Sequence, residues 1–305
     1  MSSLNLPLQN FPDTIELTND RLHLGISPMA GRIVDLRRRG GDNLLWRSTH
    51  PLPAEDVIGA YRNLGGDKIW PAVQMMWPRY SPGQWPPDGI IDGRPWRLID
   101  ASPQRVTIES EQHPDLQIVA RRSVTLDAVA ARVVIDSTLT RISQSSLPVC
   151  VWSVTQVQRP EVGLMDIADD RVESPAWRYI NLTDGTPFPE TIVQLANTGR
   201  TVAYRPPVKV PGKVGTFGRW LAGVYRDDIF LQQTAFDSAG AYPDRSNVQL
   251  FSCERYVEIE TLSPQVHLQP GQTLSHRVVW HLLNRAPGSL DAISEQCASW
   301  AREQV

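Results

Sequence analysis

The sequence is poor in cysteine, and its three cysteines, Cys150, Cys253 and Cys297, are widely spaced. No CxxC pair and no Cys/His ligand spacing occurs, so we predict neither a disulfide framework nor a metal site. An odd and sparse set of cysteines is typical of a reducing compartment. We therefore expect a cytoplasmic protein.

The segments that direct a protein to a membrane are also missing. Residues 1–18 contain neither the basic stretch nor the apolar core of a secretory signal. No apolar run approaches the roughly 20 residues that a membrane-spanning helix needs. A basic surplus is absent too, because 30 Lys and Arg face 33 Asp and Glu, for a net charge of −3. We expect a soluble protein that binds neither a membrane nor nucleic acid.

Common catalytic motifs are absent as well. The sequence has no G-x-S-x-G, no GxGxxG after a strand, no P-loop and no H-E-x-x-H. We accordingly predict no cofactor. Chemistry in this chain must come from side chains that these motifs do not describe.

The chain is rich in proline and tryptophan, with 25 and 10 residues. Prolines divide a chain into short elements, and the apolar residues between them alternate with polar ones, which is the period of a β-strand. The predicted strands are Thr14–Thr18, Arg21–Ser27, Arg32–Arg38, Asn43–Trp46, Arg105–Glu111, Leu116–Leu126, Arg132–Ile142, Pro148–Gln156, Trp220–Tyr225, Ile229–Gln233, Val248–Ser252, Tyr256–Leu262 and Thr273–Leu282.

One helix is predicted near the end of the chain, with Ser289 as its N-cap. Its apolar face consists of Leu290, Ile293, Cys297 and Trp300. Residues 50–96 read as a long irregular segment, and a loop of that length usually has a function. No linker interrupts the pattern. We predict a single all-β domain over residues 1–305, a large antiparallel β-sandwich with a short C-terminal helix.

Three segments carry a family resemblance, in the same order along the chain. The opening strands lead through S-P-M-A-G at 27–31 to N-L-L-W at 43–46, and L-G-G-D-K-I-W follows at 64–70. Near the end, Y-V-E-I-E-T-L-S-P at 256–264 precedes L-Q-P-G-Q at 268–272. These segments resemble the galactose mutarotase (aldose 1-epimerase) superfamily, in an uncharacterised branch. The resemblance implies that family's supersandwich fold.

The resemblance also implies a catalytic base. Members use a glutamate as base and a histidine as acid to open and close a sugar hemiacetal, and Glu260 matches the base. Glu258 lies two residues earlier, so both carboxylates point to one face of the strand. The alternative is that both glutamates face solvent or pair with arginine.

The acid of the family has no counterpart here. The matching strand, residues 151–156, contains no histidine, and Leu64 is followed directly by Gly65 where the family has a second histidine. We predict that Lys68 and Asp67 replace them, with Lys68 acting as an acid or as a charge for the substrate. The alternative is a salt-bridged loop.

Other residues are candidates for binding the substrate. Arg62 and Asn63 resemble the sugar-contacting N-R pair of the family, and Gln156 can donate or accept a hydrogen bond. Residues 213–215 and 242–244 are predicted to lie in loops at the rim of the same cleft. The flat faces of several tryptophans suit a sugar and suit loop packing equally: Trp70, Trp77, Trp85 and Trp96.

Together these features predict an epimerase-like or mutarotase-like protein that acts on or binds a carbohydrate in a concave cleft. It would use a glutamate base and a non-standard acid. One alternative is a carbohydrate-binding protein without catalysis, which the missing histidines favour. Another is a different enzyme on this scaffold, such as a lyase or a cyclase, because fold does not fix function.

Overall fold

The computed structural model describes residues 11–49, 51–58, 61–71, 77–78, 89–168, 179–183, 185–186, 188–207 and 209–303. Nearly all of its secondary structure is β, in two large antiparallel sheets, with one short helix near the C-terminus. The predicted fold class, an all-β antiparallel sandwich, is confirmed. The chain divides into two compact units, residues 1–156 with 265–277 and residues 157–264 with 278–305. The single domain over 1–305 stays a prediction.

The first unit holds the strands of the N-terminal half. They are β1 (Ile15–Thr18), β2 (Leu22–Ser27), β3 (Arg32–Arg38), β4 (Val57–Ile58), β5 (Tyr61–Arg62), β6 (Asp67–Trp70), β7 (Arg97–Ser102), β8 (Arg105–Glu109), β9 (Ile118–Leu126), β10 (Arg132–Arg141) and β11 (Trp152–Val157), whose last residue falls in the second unit. Strands β1, β2, β3, β6 and β11 lie side by side in that order. Strands β7, β8, β9 and β10 form an antiparallel meander.

The alternation in β9 shows how the sequence builds this meander. Every second residue of the strand is buried, beginning at Ile118 and ending at Leu126. Arg122 falls on that buried face between Ala120 and Val124 and is only 1 % exposed. A charge on the buried face of a strand requires a partner inside the protein.

Strands β4, β5 and β7 form where no strand was predicted, and two further parts of the first unit also differ from the prediction. Residues 67–70, predicted as loop, form β6, and all four are buried. Gly66 allows this strand to pass β3, because a Cβ there would lie 2.3 Å from the carbonyl oxygen of Ile33, and its φ is +74°. Residues 43–46, predicted as a strand, do not form one, since the side chain of Asn43 accepts hydrogen bonds from the backbone of Leu36 and Leu45.

The second unit holds the later strands. They are β12 (Val162–Asp166), β13 (Ile180–Asn181), β14 (Val193–Ala196), β15 (Thr201–Tyr204), β16 (Gly212–Thr216), β17 (Trp220–Val224), β18 (Asp228–Thr234), β19 (Val248–Ser252), β20 (Val257–Leu262) and β21 (Thr273–Asn284), whose first five residues belong to the first unit. Strands β20, β19, β16 and β13 are neighbours in that order. Strands β14, β15, β12, β17, β18 and β21 form the other run.

The helix α1 (Leu290–Glu303) begins as predicted, with the hydroxyl of Ser289 accepting a hydrogen bond from the backbone N–H of Ala292. Its buried face is Ile293, Cys297 and Ala301, which packs on apolar residues of β12, β17 and β18. Trp300, predicted on that face, is 36 % exposed. The helix instead buries Ala301, which lies four residues after Cys297, as Cys297 lies four residues after Ile293. Within the described ranges, no helix is long and apolar enough to cross a membrane.

Candidate functional site

The predicted site residues fall in both units, and each group is described within its own unit. The first unit contains Arg62, Asn63, Asp67, Lys68, Trp70, Trp77 and Gln156. The second unit contains Glu258 and Glu260. Trp85 lies outside the described residues.

Glu260 is the central carboxylate of the second unit. It lies on β20 and is 0 % exposed, while Glu258 on the same face is 8 % exposed. The intervening Ile259 is also fully buried and points to the opposite face, since successive side chains of a strand alternate. Directly across from Glu260 on β19 is Gln249, which is also 0 % exposed. The period-2 pattern therefore places a charged group at a fully buried position.

A lysine neutralises this carboxylate. The ammonium nitrogen of Lys213 lies 2.8 Å from Oε2 of Glu260, and the lysine side chain is 18 % exposed. Residues 213–215 were predicted in a loop, but they belong to β16, where Lys213 faces Phe251 of β19. Phe251 in turn faces Glu258. The side chain of Lys213 on β16 therefore extends across β19 to Glu260 on β20, which lies two residues along that strand from Glu258.

Small and polar side chains surround the pair on β16 and β19. Gly215 is directly opposite Gln249, whose amide donates a hydrogen bond of 2.8 Å to the hydroxyl of Ser246. A Cβ on Gly215 would lie 2.6 Å from that hydroxyl oxygen, so a larger residue does not fit there. The arrangement combines a carboxylate that can accept a proton, an ammonium group that can donate one, and amide groups that can bind hydroxyls.

In the first unit, Asp67 lies on one face of β6, both faces of which are buried, and it is enclosed by hydrogen bonds. Its carboxylate pairs with the guanidinium of Arg122. The hydroxyls of Thr155, 2.8 Å away, and Ser153, 3.4 Å away, also donate to it. Arg122 donates a further bond of 3.1 Å to the carbonyl oxygen of Asp67. These contacts join three strands, which is the geometry of an internal ion pair.

Lys68 points to the other face of β6 and joins a second group of buried charges. Its ammonium nitrogen is 4.0 Å from Oδ2 of Asp92 and 5.2 Å from the centre of the Trp70 ring. The same oxygen of Asp92 accepts a hydrogen bond of 2.8 Å from the indole N–H of Trp70. Arg32 pairs with the other oxygen of Asp92. The lysine is 2 % exposed, so this charge is held inside the protein.

The tryptophans on this face pack on one another. Trp152 of β11 is directly opposite Trp70 of β6, and the two rings meet edge to face at 4.8 Å. Trp77 stacks on Trp152 at 6.1 Å and is 0 % exposed. Trp96 makes a separate contact, in which its indole N–H donates a hydrogen bond to the carbonyl oxygen of Ile91. The cluster forms a rigid apolar wall beside Lys68.

The remaining candidates of the first unit differ in exposure. Arg62 is exposed at the end of β5, and its guanidinium donates to the carbonyl of Tyr61. Asn63 is buried and its backbone N–H bonds the carbonyl of Asp56. Gln156 lies on the same face of β11 as Trp152 and is 1 % exposed. Arg62 is thus the only one of these three on the surface.

Sequence reasoning did not identify Arg122 and Asp92, and it placed Lys213 only at a rim. Arg122 had a visible signal, because it is in phase with the apolar residues of β9. Asp92 lies in a turn between glycines, and nothing local marks it. Lys213 meets a partner 47 positions later in the chain. Among the described residues, no three His, Cys, Asp or Glu side chains are placed to hold a metal ion.

No protein-family model matches this sequence, and no protein of curated function matches it. Solved structures, however, share its fold. A galactose mutarotase related enzyme from Lactobacillus acidophilus superposes with a TM-score of 0.59 at 9% identity, over 88% of this chain and 97% of that chain. A galactose mutarotase-like protein from Lactobacillus casei gives a TM-score of 0.56 at 11% identity, over 88% and 100%.

A third structure, a galactose 1-epimerase from Lactobacillus acidophilus, gives a TM-score of 0.52 at 12% identity, over 89% of this chain and 94% of that chain. These likenesses extend over nearly all of each protein. The chain therefore has the galactose mutarotase-like fold, and the predicted resemblance is confirmed at the level of the fold. Identities this low show the fold alone.

Proposed function

We propose that this chain, which has the galactose mutarotase-like fold, is an aldose 1-epimerase-like isomerase that uses Glu260 as its base. The observation that carries the proposal is the full burial of Glu260 on β20 beside a lysine. A buried charge is costly to maintain, and such positions are often functional. The glutamate also stands where the family resemblance implies the base.

The reaction interconverts the two anomers of a sugar. Glu260 takes the proton from the anomeric hydroxyl while an acid protonates the ring oxygen, so the ring opens to an aldehyde. Rotation about the bond to the aldehyde carbon and reclosure give the other anomer. Since protons only move between protein and sugar, the step needs no cofactor.

The acid is a group other than histidine. Lys68 and Asp67 are the candidates of the first unit, and their surroundings differ. The hydrogen bonds around Asp67 suit a residue that positions β6, whereas Lys68 has an ammonium group that can bind or protonate a sugar oxygen. The proposed substrate contacts are Arg62, Asn63, Trp70, Trp77, Trp85, Gln156 and Glu258.

The experiment is a comparison of Glu260→Gln with Glu258→Gln on the same face of the same strand. The rate of anomerisation of freshly dissolved α-D-glucose and α-D-galactose is followed by polarimetry, above the rate in buffer. We expect Glu260→Gln to lose about 10²–10⁴-fold of the acceleration, the usual contribution of a general base. Glu258→Gln, at a proposed substrate contact, should weaken sugar binding and raise KM but keep kcat close to the wild-type value.

Circular dichroism and the melting temperature show whether each variant is folded. A folded Glu260→Gln protein that anomerises both sugars at the wild-type rate contradicts the proposal. A wild-type protein that binds a sugar in calorimetry but leaves its anomerisation rate unchanged supports the second candidate, a carbohydrate-binding protein. The absence of histidine from residues 151–156 favours that candidate.

A further inference from the structure

We propose that Lys213 is the acid that protonates the ring oxygen. This inference rests on the proposed function and assigns its missing proton donor. Lys213 is the residue whose ammonium group contacts the base itself, at 2.8 Å from Oε2 of Glu260. Lys68 then keeps the other role that its chemistry allows, the binding of a substrate oxygen.

The first argument is the distance between acid and base. The anomeric oxygen and the ring oxygen of a sugar are bonded to the same carbon atom. An acid and a base that serve these two oxygens at once must therefore lie close together. Lys213 and Glu260 are within hydrogen-bond distance, so a single sugar carbon beside them can be served by both groups.

The second argument is exposure. The carboxylate of Glu260 is fully buried, whereas the side chain of Lys213 is 18 % exposed. A sugar that approaches this face of β16, β19 and β20 therefore reaches the lysine from solvent. The long lysine stem can shift its ammonium group from the carboxylate to a neighbouring sugar oxygen without moving the strand.

The third argument is the choice of cation. The chain has 30 Lys and Arg, and only three of them are lysines: Lys68, Lys209 and Lys213. Two other buried carboxylates have an arginine partner, Asp67 with Arg122 and Asp92 with Arg32, although Asp92 also lies 4.0 Å from the ammonium nitrogen of Lys68. Arginine forms the stronger fork with a carboxylate but does not release its proton. A lysine on Glu260 suits proton transfer rather than pairing alone.

The proton balance is complete with these two residues. The bond between the anomeric carbon and the ring oxygen breaks, and its electron pair goes to the ring oxygen, which takes a proton from Lys213. The anomeric hydroxyl gives its proton to Glu260 and becomes the aldehyde oxygen. Reclosure on the opposite face of the aldehyde returns both protons, so each residue regains its starting charge.

The test uses the full chain with Lys213→Met and Lys213→Arg, and with Lys209→Met as the matched control. The rate of anomerisation is measured for the same two sugars as above. Arginine preserves the ion pair with Glu260 but cannot act as the acid. We expect both Lys213 variants to lose about 10²-fold or more, and the exposed Lys209→Met to keep the wild-type rate.

Chemical rescue gives a second readout that a structural role would not produce. Methylammonium ions added to Lys213→Ala can donate a proton at the vacated position, and tetramethylammonium ions at equal ionic strength cannot. We expect the first ion to raise the rate with concentration and the second to have no effect. Rescue by both ions, or a wild-type rate in Lys213→Arg, overturns the assignment.

The two proposals fail in different ways. If wild-type protein accelerates anomerisation and Glu260→Gln does not, while both Lys213 variants retain the rate, then Lys213 is not the acid and the proposed function stands. If wild-type protein does not accelerate anomerisation of either sugar, both are overturned. Melting temperatures and sugar binding of the Lys213 variants separate loss of chemistry from loss of fold.

Discussion

Asp67 of the first unit and Glu260 of the second are both carboxylates with no exposed surface, and each is paired with a cation. The cation of Asp67 is Arg122, which is 1 % exposed and fixed by two bonds to the same residue. The cation of Glu260 is Lys213, which is 18 % exposed. We call Asp67–Arg122 the closed pair, because both side chains are buried, and Glu260–Lys213 the open pair, because its lysine is partly exposed to solvent.

This difference separates two uses of a buried charge. Around Asp67, hydroxyls of Thr155 and Ser153 add to the guanidinium, so the carboxylate has donors on both oxygens. A carboxylate bonded in this way holds together the strands that its donors belong to. A lysine with partial access to solvent can instead exchange its partner for a ligand. The closed pair therefore suits a structural role, and the open pair suits the proposed chemistry.

The largest expected effect comes from breaking the closed pair. Arg122→Met leaves a buried carboxylate without its guanidinium, which typically costs about 3–5 kcal/mol in the free energy of unfolding. Urea unfolding followed by circular dichroism measures the change. The matched control is Arg121→Met, because Arg121 is the adjacent residue, 53 % exposed and paired with Glu109.

The control should change the free energy of unfolding by less than about 1 kcal/mol, as exposed ion pairs do. Equal losses in the two variants would show that burial does not distinguish these arginines. If Arg122→Met loses no more unfolding free energy than Arg121→Met, the structural role assigned to the Asp67–Arg122 pair is wrong.

The buried residue His276, which carries no charge, gives a third case to compare with the two buried ion pairs. Burial lowers the pKa of His276 from 6.5 to about 4, so this residue stays neutral in the folded protein near pH 7. Between these two pKa values the unfolded chain binds more protons than the folded one. Stability therefore falls as the pH decreases from about 6.5 to about 4.

The size of this loss follows from about 1.4 kcal/mol per pKa unit and amounts to roughly 3 kcal/mol at pH 4. His276→Gln should remove that part of the acid sensitivity, measured as the difference in unfolding free energy between pH 7 and pH 4. His267→Gln, at an exposed position, should leave the difference as in the wild type. An unchanged acid sensitivity in His276→Gln would contradict the role of this histidine.

Local pattern predicted much of the fold because alternation is a local property. Strands Arg32–Arg38 and Val248–Ser252 were predicted with their observed bounds. Strand β7 was missed because all six of its residues are exposed, so no alternation marks it. Strand β16 was missed because two of its five residues are glycines, which are weak strand formers.

The candidate site was less accessible to sequence reasoning. The alternation of side chains along a β-strand placed Glu258 and Glu260 on one face, but it did not identify a partner for either residue. The partners are decided by strand pairing over long separations, 47 positions for Lys213 with Glu260 and 55 for Arg122 with Asp67. Sheet order sets these contacts, and a single sequence does not encode sheet order in any short window.

The smallest expected effect concerns the stability of the open pair. Lys213→Met should lower the free energy of unfolding by about 1.5–3 kcal/mol, the value of a hydrogen bond to a charged group. The loss should be smaller than for Arg122→Met, because solvent near the partly exposed lysine can take its place. Lys213→Arg should be within about 1 kcal/mol of wild type, since it keeps a cation on Glu260. A cost for Lys213→Met equal to that for Arg122→Met would mean that both pairs are closed, and the argument that a sugar reaches the Glu260 pair through the partly exposed lysine would be lost.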